Sequence, residues 1–149
     1  MQEDTFHLGI KALIRNETGR ILLFRVNPKE LSGENPAYWD LVGGRIQRGE
    51  TVIDALQREV HEETGIKSFD LGKHLGMVLS NIRIPLKNAS DIGLILSIYE
   101  CRITGEPQII LSHEHTRYDW IEPAQAAEHL AFKYPEEFCR MVAQLTHNP

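Results

Sequence analysis

Chemistry is concentrated where Arg58, Glu59, Glu62 and Glu63 stand at helical spacing. At about 100° per residue, Glu62 falls about 60° to one side of Glu59 and Glu63 about 40° to the other. Three carboxylates therefore share one narrow arc. Like charges at such spacings destabilise an isolated helix by a few tenths of a kcal/mol. The C-terminal half of a helix also disfavours negative charge. Val52 falls at about 20° on the same wheel, so the acidic arc overlaps the edge of an apolar stripe. This predicts carboxylates that are partly sheltered. A divalent cation would neutralise such a cluster, and oxygen ligands suit Mg²⁺ or Mn²⁺. With no CxxC or Cys/His cluster, zinc is disfavoured. The competing reading is a solvated acidic helix face.

The wider spacing favours the cation. Gly44, five residues, Glu50, seven residues, Arg58-Glu59-Val60, one residue, Glu62-Glu63, one residue, Gly65-Ile66 form a single pattern. Its seven Gly, Glu and Arg positions match by chance below about 10⁻⁸ per starting point. The segment resembles the Nudix box of the Nudix hydrolases of MutT-like type, without a mismatch. The resemblance implies an α/β fold, a Nudix-type α/β/α sandwich around a mixed β-sheet. It also implies hydrolysis of a nucleoside diphosphate linked to another moiety, as an NTP, dNTP or nucleotide sugar. Glu59, Glu62, Glu63 and the Gly44 carbonyl are then expected metal ligands for Mg²⁺ or Mn²⁺, the alternative being that Glu59 or another box glutamate activates the water instead. Arg58 is expected to orient a carboxylate by a bidentate salt bridge. Glu50 is expected to open the helix, where the dipole favours its charge. The alternative is a catalytically silent Nudix-fold module that senses a nucleotide or binds a partner.

Outside the box, Glu114 in SHEHTRYDWIEP matches by local pattern a family glutamate that completes the metal site or acts as base. It is otherwise a loop glutamate. His113 and His115 flank it, and either could titrate near neutral pH. Arg25 ends a strand where relatives place a basic residue toward phosphate, or it is a surface arginine. Tyr38 and Trp39 could stack on a base or pack in the core, and Trp120 reads as core. Arg83 could reach substrate or decorate a strand. The loops 27–36 and 86–93 are where specificity is expected.

These residues need elements to place them. FHLGIKALIR alternates at period two, with Leu8, Ile10, Ala12 and Ile14 on one side, and reads as a strand. The NETG turn leads to an antiparallel ILLFR strand. YWDLV reads as one further strand. Residues 50–64 form a helix with Val52, Ile53, Leu56 and Val60 as its stripe, stopped by Gly65. Strands are expected around 75–85, at 93–103, at 109–111 and at 118–121, with KNASD as a loop. Pro123 and Pro135 open two final helices, the last burying Phe138, Val142 and Leu145.

The chain has 149 residues, 42% apolar and 25% charged, with a net charge of −5. A single globular domain of residues 1–149 is expected, with a core that needs no disulfides. No apolar run approaches the ~20 residues that span a membrane, and the N-terminus lacks a secretory pattern. Cys101 and Cys139 read as free thiols in a reducing cytoplasm. The acidic balance disfavours nonspecific nucleic-acid binding. It would also disfavour anionic ligands, unless a bound cation reverses the local sign. The expected partner is a small nucleoside diphosphate derivative, and a homodimer fits the family.

Overall fold

The alternating segment predicted to be a strand is β1 (Phe6–Arg15), the axis of the sheet. The computed structural model describes residues 1–31 and 36–146, so part of the polar loop at 27–36 lies outside the described residues. β1 runs parallel to β7 (Ala89–Arg102), from Phe6 opposite Gly93 to Arg15 opposite Arg102. Its other edge is shared. β4 (Val42–Arg45) pairs antiparallel with residues 9–12, and β2 (Ile21–Val26) meets β1 at Arg15, across the turn closed by Gly19 at φ 84°. β2 also carries β3 (Trp39–Asp40) and β8 (His115–Ile121). β7 carries β5 (Asp70–Leu79) and the short β6 (Ile84–Leu86). The described residues thus hold a mixed sheet, parallel between β1 and β7 and antiparallel elsewhere.

Both faces of this sheet are covered, as expected for an α/β/α sandwich. Ile10, Ala12 and Ile14 of β1 pack with Leu56 and Val60 of α1 (Val52–Thr64). On the opposite face Leu13 and Leu23 join Leu130 of α2 (Pro123–Leu130) and Phe138 and Val142 of α3 (Glu136–Ala143). Fully burying one such side chain contributes roughly 1.5–3 kcal/mol. Leu145 follows α3 rather than belonging to it, and is only half-buried. Among the described residues no helix is long and apolar enough to cross a membrane.

Several expected strands differ. YWDLV is not continuous: it breaks at Leu41, because β3 bonds to β2 while β4 bonds to β1. The strand expected at 75–85 is instead β5, which starts at Asp70, followed by a separate β6; the unread start, residues 70–74, is exposed and holds one large apolar side chain, Leu71. KNASD is mostly not a loop, since Leu86 already pairs with Ala89 across a two-residue turn. Residues 109–111 form no strand. The Ile110 N–H donates to the Thr64 carbonyl at the end of α1.

Candidate active site

α1 is set by its ends. Thr51 caps it, its hydroxyl accepting the Asp54 N–H at 3.1 Å, and Gly65 stops it at φ 77° in the left-handed region. Glu50 therefore precedes the helix instead of opening it. Its carboxylate accepts the Gln47 N–H at 2.8 Å and both Nε and Nη2 of Arg58. The Arg58 guanidinium holds the Glu50 carboxyl below its usual range. Arg58 is thus bidentate to Glu50. Its Nη1 also reaches Glu59 at 2.7 Å and Glu62 at 3.3 Å.

The three carboxylates of the arc part company. Glu59 and Glu63 turn inward and are buried, whereas Glu62 is exposed on Arg58 and does not line the cleft. Glu59 lies against Gly44, where an added Cβ would come within 2.7 Å of the Glu59 Cδ. The Glu63 carboxylate accepts the Gly43 N–H at 2.9 Å. Gly43 sits at φ 146°, and a Cβ there would meet the Lys11 Cα at 2.9 Å, so glycine is required on both counts. Burial pushes the Glu63 carboxyl up to about 9, and Glu114 and Glu59 beside it act in the same direction. Lys11 and the Gly43 N–H oppose them.

Glu63 and Glu59 line one end of a cleft of about 530 Å³, together with Gly44 and Glu114. Glu114 is exposed at its mouth, on a turn fixed to Asn27, whose N–H reaches the Glu114 carbonyl at 2.8 Å. Among the described residues no three His, Cys, Asp or Glu side chains stand as a finished metal cage. The donor set is nevertheless all oxygen, and of its two buried carboxylates Glu59 is paired with Arg58 whereas Glu63 has no salt bridge among the described residues. Those are the properties that fit a hard divalent cation. His115 also lines the cleft. Burial, reinforced by Lys11, holds its imidazole down to about 4, so it is neutral at physiological pH. His113 does not line the cleft, and its Nε2 lies 4.0 Å from Glu30, which does.

A second group lining the cleft, its lysine–aspartate end, is built from residues the sequence did not single out. Asp40 is buried and accepts four hydrogen bonds, from Lys11 at 3.1 Å, Lys133 at 2.6 Å, the Tyr134 hydroxyl at 2.5 Å and the Leu41 N–H at 2.8 Å. Burial alone would raise its carboxyl, but Lys11 and Lys133 reverse this and hold it well below the usual carboxylate range. Burial lowers Lys133 to about 8 despite Asp40. One signal was present in the sequence: Lys11 and Asp40 each interrupt an apolar strand pattern. Lys133 and Tyr134 gave none.

The remaining candidates separate. Tyr38 lines the cleft, buried beside the Phe132 ring at 5.2 Å, and burial followed by Asp40 pushes its hydroxyl up to about 12. Arg25 is not brought to the cleft, because its guanidinium lies over Trp39, 5.8 Å from the ring centroid. Arg117 lies over the same ring at 5.1 Å, and the Trp39 edge meets His129. Arg83 is exposed and already paired, with Asp4 at 2.9 Å and Asp91 at 2.7 Å, and also lies outside the cleft. Trp120 is half-buried against the α1 side of the core.

This fold and box define a class. The sequence model of the NUDIX domain matches residues 5–141. The chain belongs to that family and is a Nudix hydrolase, a pyrophosphohydrolase. It is 29% identical to the nucleoside triphosphatase NudI of Escherichia fergusonii over 122 residues, 78% of this chain and 82% of that one. The solved MutT protein of Methanosarcina mazei shares 28% identity at a TM-score of 0.72, covering 95% of this chain and 96% of that one. The E. coli dihydroneopterin triphosphate pyrophosphohydrolase shares the fold, with a TM-score of 0.71 at 21% identity over 98% and 100% of the two chains.

Proposed function

We propose that the protein hydrolyses a pyrophosphate bond of a nucleoside triphosphate or related nucleoside diphosphate derivative, with Mg²⁺ or Mn²⁺ as cofactor. The observation that carries this reading is Glu63. It is a carboxyl buried beside two others and has no salt bridge among the described residues, which leaves its charge for a cation to meet. Glu59, Glu63 and the Gly44 carbonyl would hold the ion, with Glu114 at the mouth. Glu62 could join only by leaving Arg58. A bound divalent ion supplies charge neutralisation at the attacked phosphoryl group and a more acidic water.

The chain's own residues do the rest. Arg58 pins Glu59 while Glu50 pins Arg58, so the carboxylate is pre-positioned. Gly43 fixes Glu63 through its N–H. Glu114, exposed and within hydrogen-bond reach of Glu63, is placed to accept the proton of the attacking water. The similarity to a nucleoside triphosphatase supports the triphosphate class.

The intact carboxylate set weighs against the silent-module reading. Two buried free thiols suit a cytoplasmic location. Exposed Leu71, Met77 and Leu79 on β5 offer a face for a second copy of the chain. The test is release of nucleoside monophosphate from a panel of NTPs, dNTPs, nucleotide sugars and dinucleoside polyphosphates, with Mg²⁺, Mn²⁺ or EDTA. Metal-dependent turnover of at least one member is expected. No turnover of any member, with Glu59→Gln indistinguishable from wild type, would overturn the reading.

A further inference from the structure

The lysine–aspartate end of the cleft can be inventoried donor by donor. A carboxylate offers about four lone-pair sites. Asp40 has all four in use, by Lys11, Lys133, Tyr134 and the Leu41 N–H. It has none left for a ligand. An ammonium offers three N–H donors. Lys11 has three acceptors: Asp40, the Leu41 carbonyl at 3.3 Å and the Gly43 carbonyl at 3.4 Å. It too is spent.

Lys133 is different. It lines the cleft and is 6% exposed, and among the described residues Asp40 is its only hydrogen-bond acceptor. Among the described residues two of its N–H donors are therefore unspent. A buried ammonium with unmet donors is costly, which makes an incoming acceptor valuable. The His115 Nδ1 is a second unmet polar atom, buried and without a hydrogen-bond partner on the same cleft. The Tyr38 ring, 5.6 Å from the Lys133 Nζ, supplies an aromatic wall beside it.

We propose that Lys133, held by Asp40 and walled by Tyr38, selects the nucleobase by donating to the carbonyl at position 4 of a pyrimidine or 6 of a purine, so that uracil, thymine and guanine bind in preference to cytosine and adenine, which carry an amino group there. The keto oxygen of such a base is a lone-pair acceptor at the edge where cytosine and adenine instead present an amino donor. With Asp40 saturated, that amino group would meet the ammonium hydrogens of Lys133. Discrimination built on an unmet buried donor is larger than discrimination built on apolar shape. The single formal charge of Asp40 is balanced by Lys11 alone, so removing the Lys133 ammonium leaves a neutral pair behind.

The proposal rests on the nucleotide-hydrolase reading, and the experiment separates the two. Binding of UMP, CMP, GMP and AMP is measured calorimetrically on wild type and Lys133→Met, alongside kcat/KM for the matching triphosphates. Wild type is expected to favour UMP over CMP and GMP over AMP by roughly tenfold or more. Lys133→Met should erase the preference while leaving the weaker binding of the amino members almost unchanged. Equal binding of keto and amino partners by wild type overturns the proposal, as does a preference that survives Lys133→Met, or no measurable binding of any monophosphate. Triphosphate turnover without keto preference would overturn this proposal alone. Keto-selective binding without any turnover would overturn the hydrolase reading alone. Should Lys133→Met fail to fold, the wild-type comparison still decides.

Discussion

The two ends of the cleft handle buried charge in opposite ways. At one end Asp40 is matched by two lysines and a tyrosine, and its carboxyl is held below its ordinary range. At the other, Glu63 is buried beside Glu59 and Glu114, and its carboxyl is pushed up to about 9. The Asp40 carboxylate is fully met from within the chain, and among the described residues Lys133 alone of its partners keeps donors to spare. The second end is completed only by something positive. Satisfied charge positions a ligand, while unsatisfied charge recruits one, and this cleft places the two within one residue of each other. Lys11 touches the Gly43 carbonyl, and the Gly43 N–H touches Glu63.

The sharpest way to break this comparison is to neutralise each end in turn. Glu63→Gln keeps an acceptor for the Gly43 N–H but removes the charge. It should lower kcat by roughly 10²–10⁴-fold, measured as nucleoside monophosphate release under saturating Mg²⁺. The same variant should melt at a higher temperature than wild type in metal-free alkaline buffer, since it no longer buries an unpaired carboxylate. Asp40→Asn does the reverse. It strands two buried ammoniums and should cost about 3–5 kcal/mol of stability, read from the urea midpoint. Gly44→Ala forces the Glu59 carboxylate aside, and a displacement of about 1 Å can cost roughly 10²-fold in rate. It should therefore reduce kcat/KM while sparing most of the thermal stability.

The pH dependence has opposite signs at the two ends. The folded value of Asp40 lies below its unfolded value of 3.8, so its contribution is fully present above that pH and is lost on acidification. The folded value of Glu63 lies above its unfolded value of 4.5. The folded state then holds the extra proton between 4.5 and about 9, and stability falls as pH rises through that window. Metal-free melting curves across pH should show both limbs, and Glu63→Gln should flatten only the alkaline one. At the small end of the scale, Arg83→Ala should leave kcat/KM unchanged, because exposed ion pairs contribute little and Arg83 stands outside the cleft.

The contrast also explains what could be read from the sequence. The carboxylate end was legible because Gly44, Glu50, Arg58, Glu59 and Glu63 lie within one loop and one helix, where spacing fixes direction. Even so, the helical wheel placed Glu62 with its neighbours, and it turned outward to Arg58. The α/β/α layering was implied by the resemblance of residues 44–66 to the Nudix box. The lysine–aspartate end draws Lys11, Asp40 and Lys133 from three distant elements, and no local period joins them. Arg25 was a candidate for phosphate because relatives place a basic residue at that strand end, and Arg83 a candidate to reach substrate, each with a surface alternative. The structure gives each a different occupation, on the Trp39 ring and between two aspartates.

The central claim, that a cation completes the carboxylate end, is tested most directly by thermal melting with and without Mg²⁺ at about pH 6 and about pH 9, for wild type and Glu63→Gln. Ligand binding to the folded state raises its melting temperature, and deprotonation of Glu63 strengthens the site. Wild type should therefore be stabilised by Mg²⁺, more at the higher pH, and Glu63→Gln much less at either. A Mg²⁺ shift of equal size in both proteins and at both pH values, or none at all, would contradict the account.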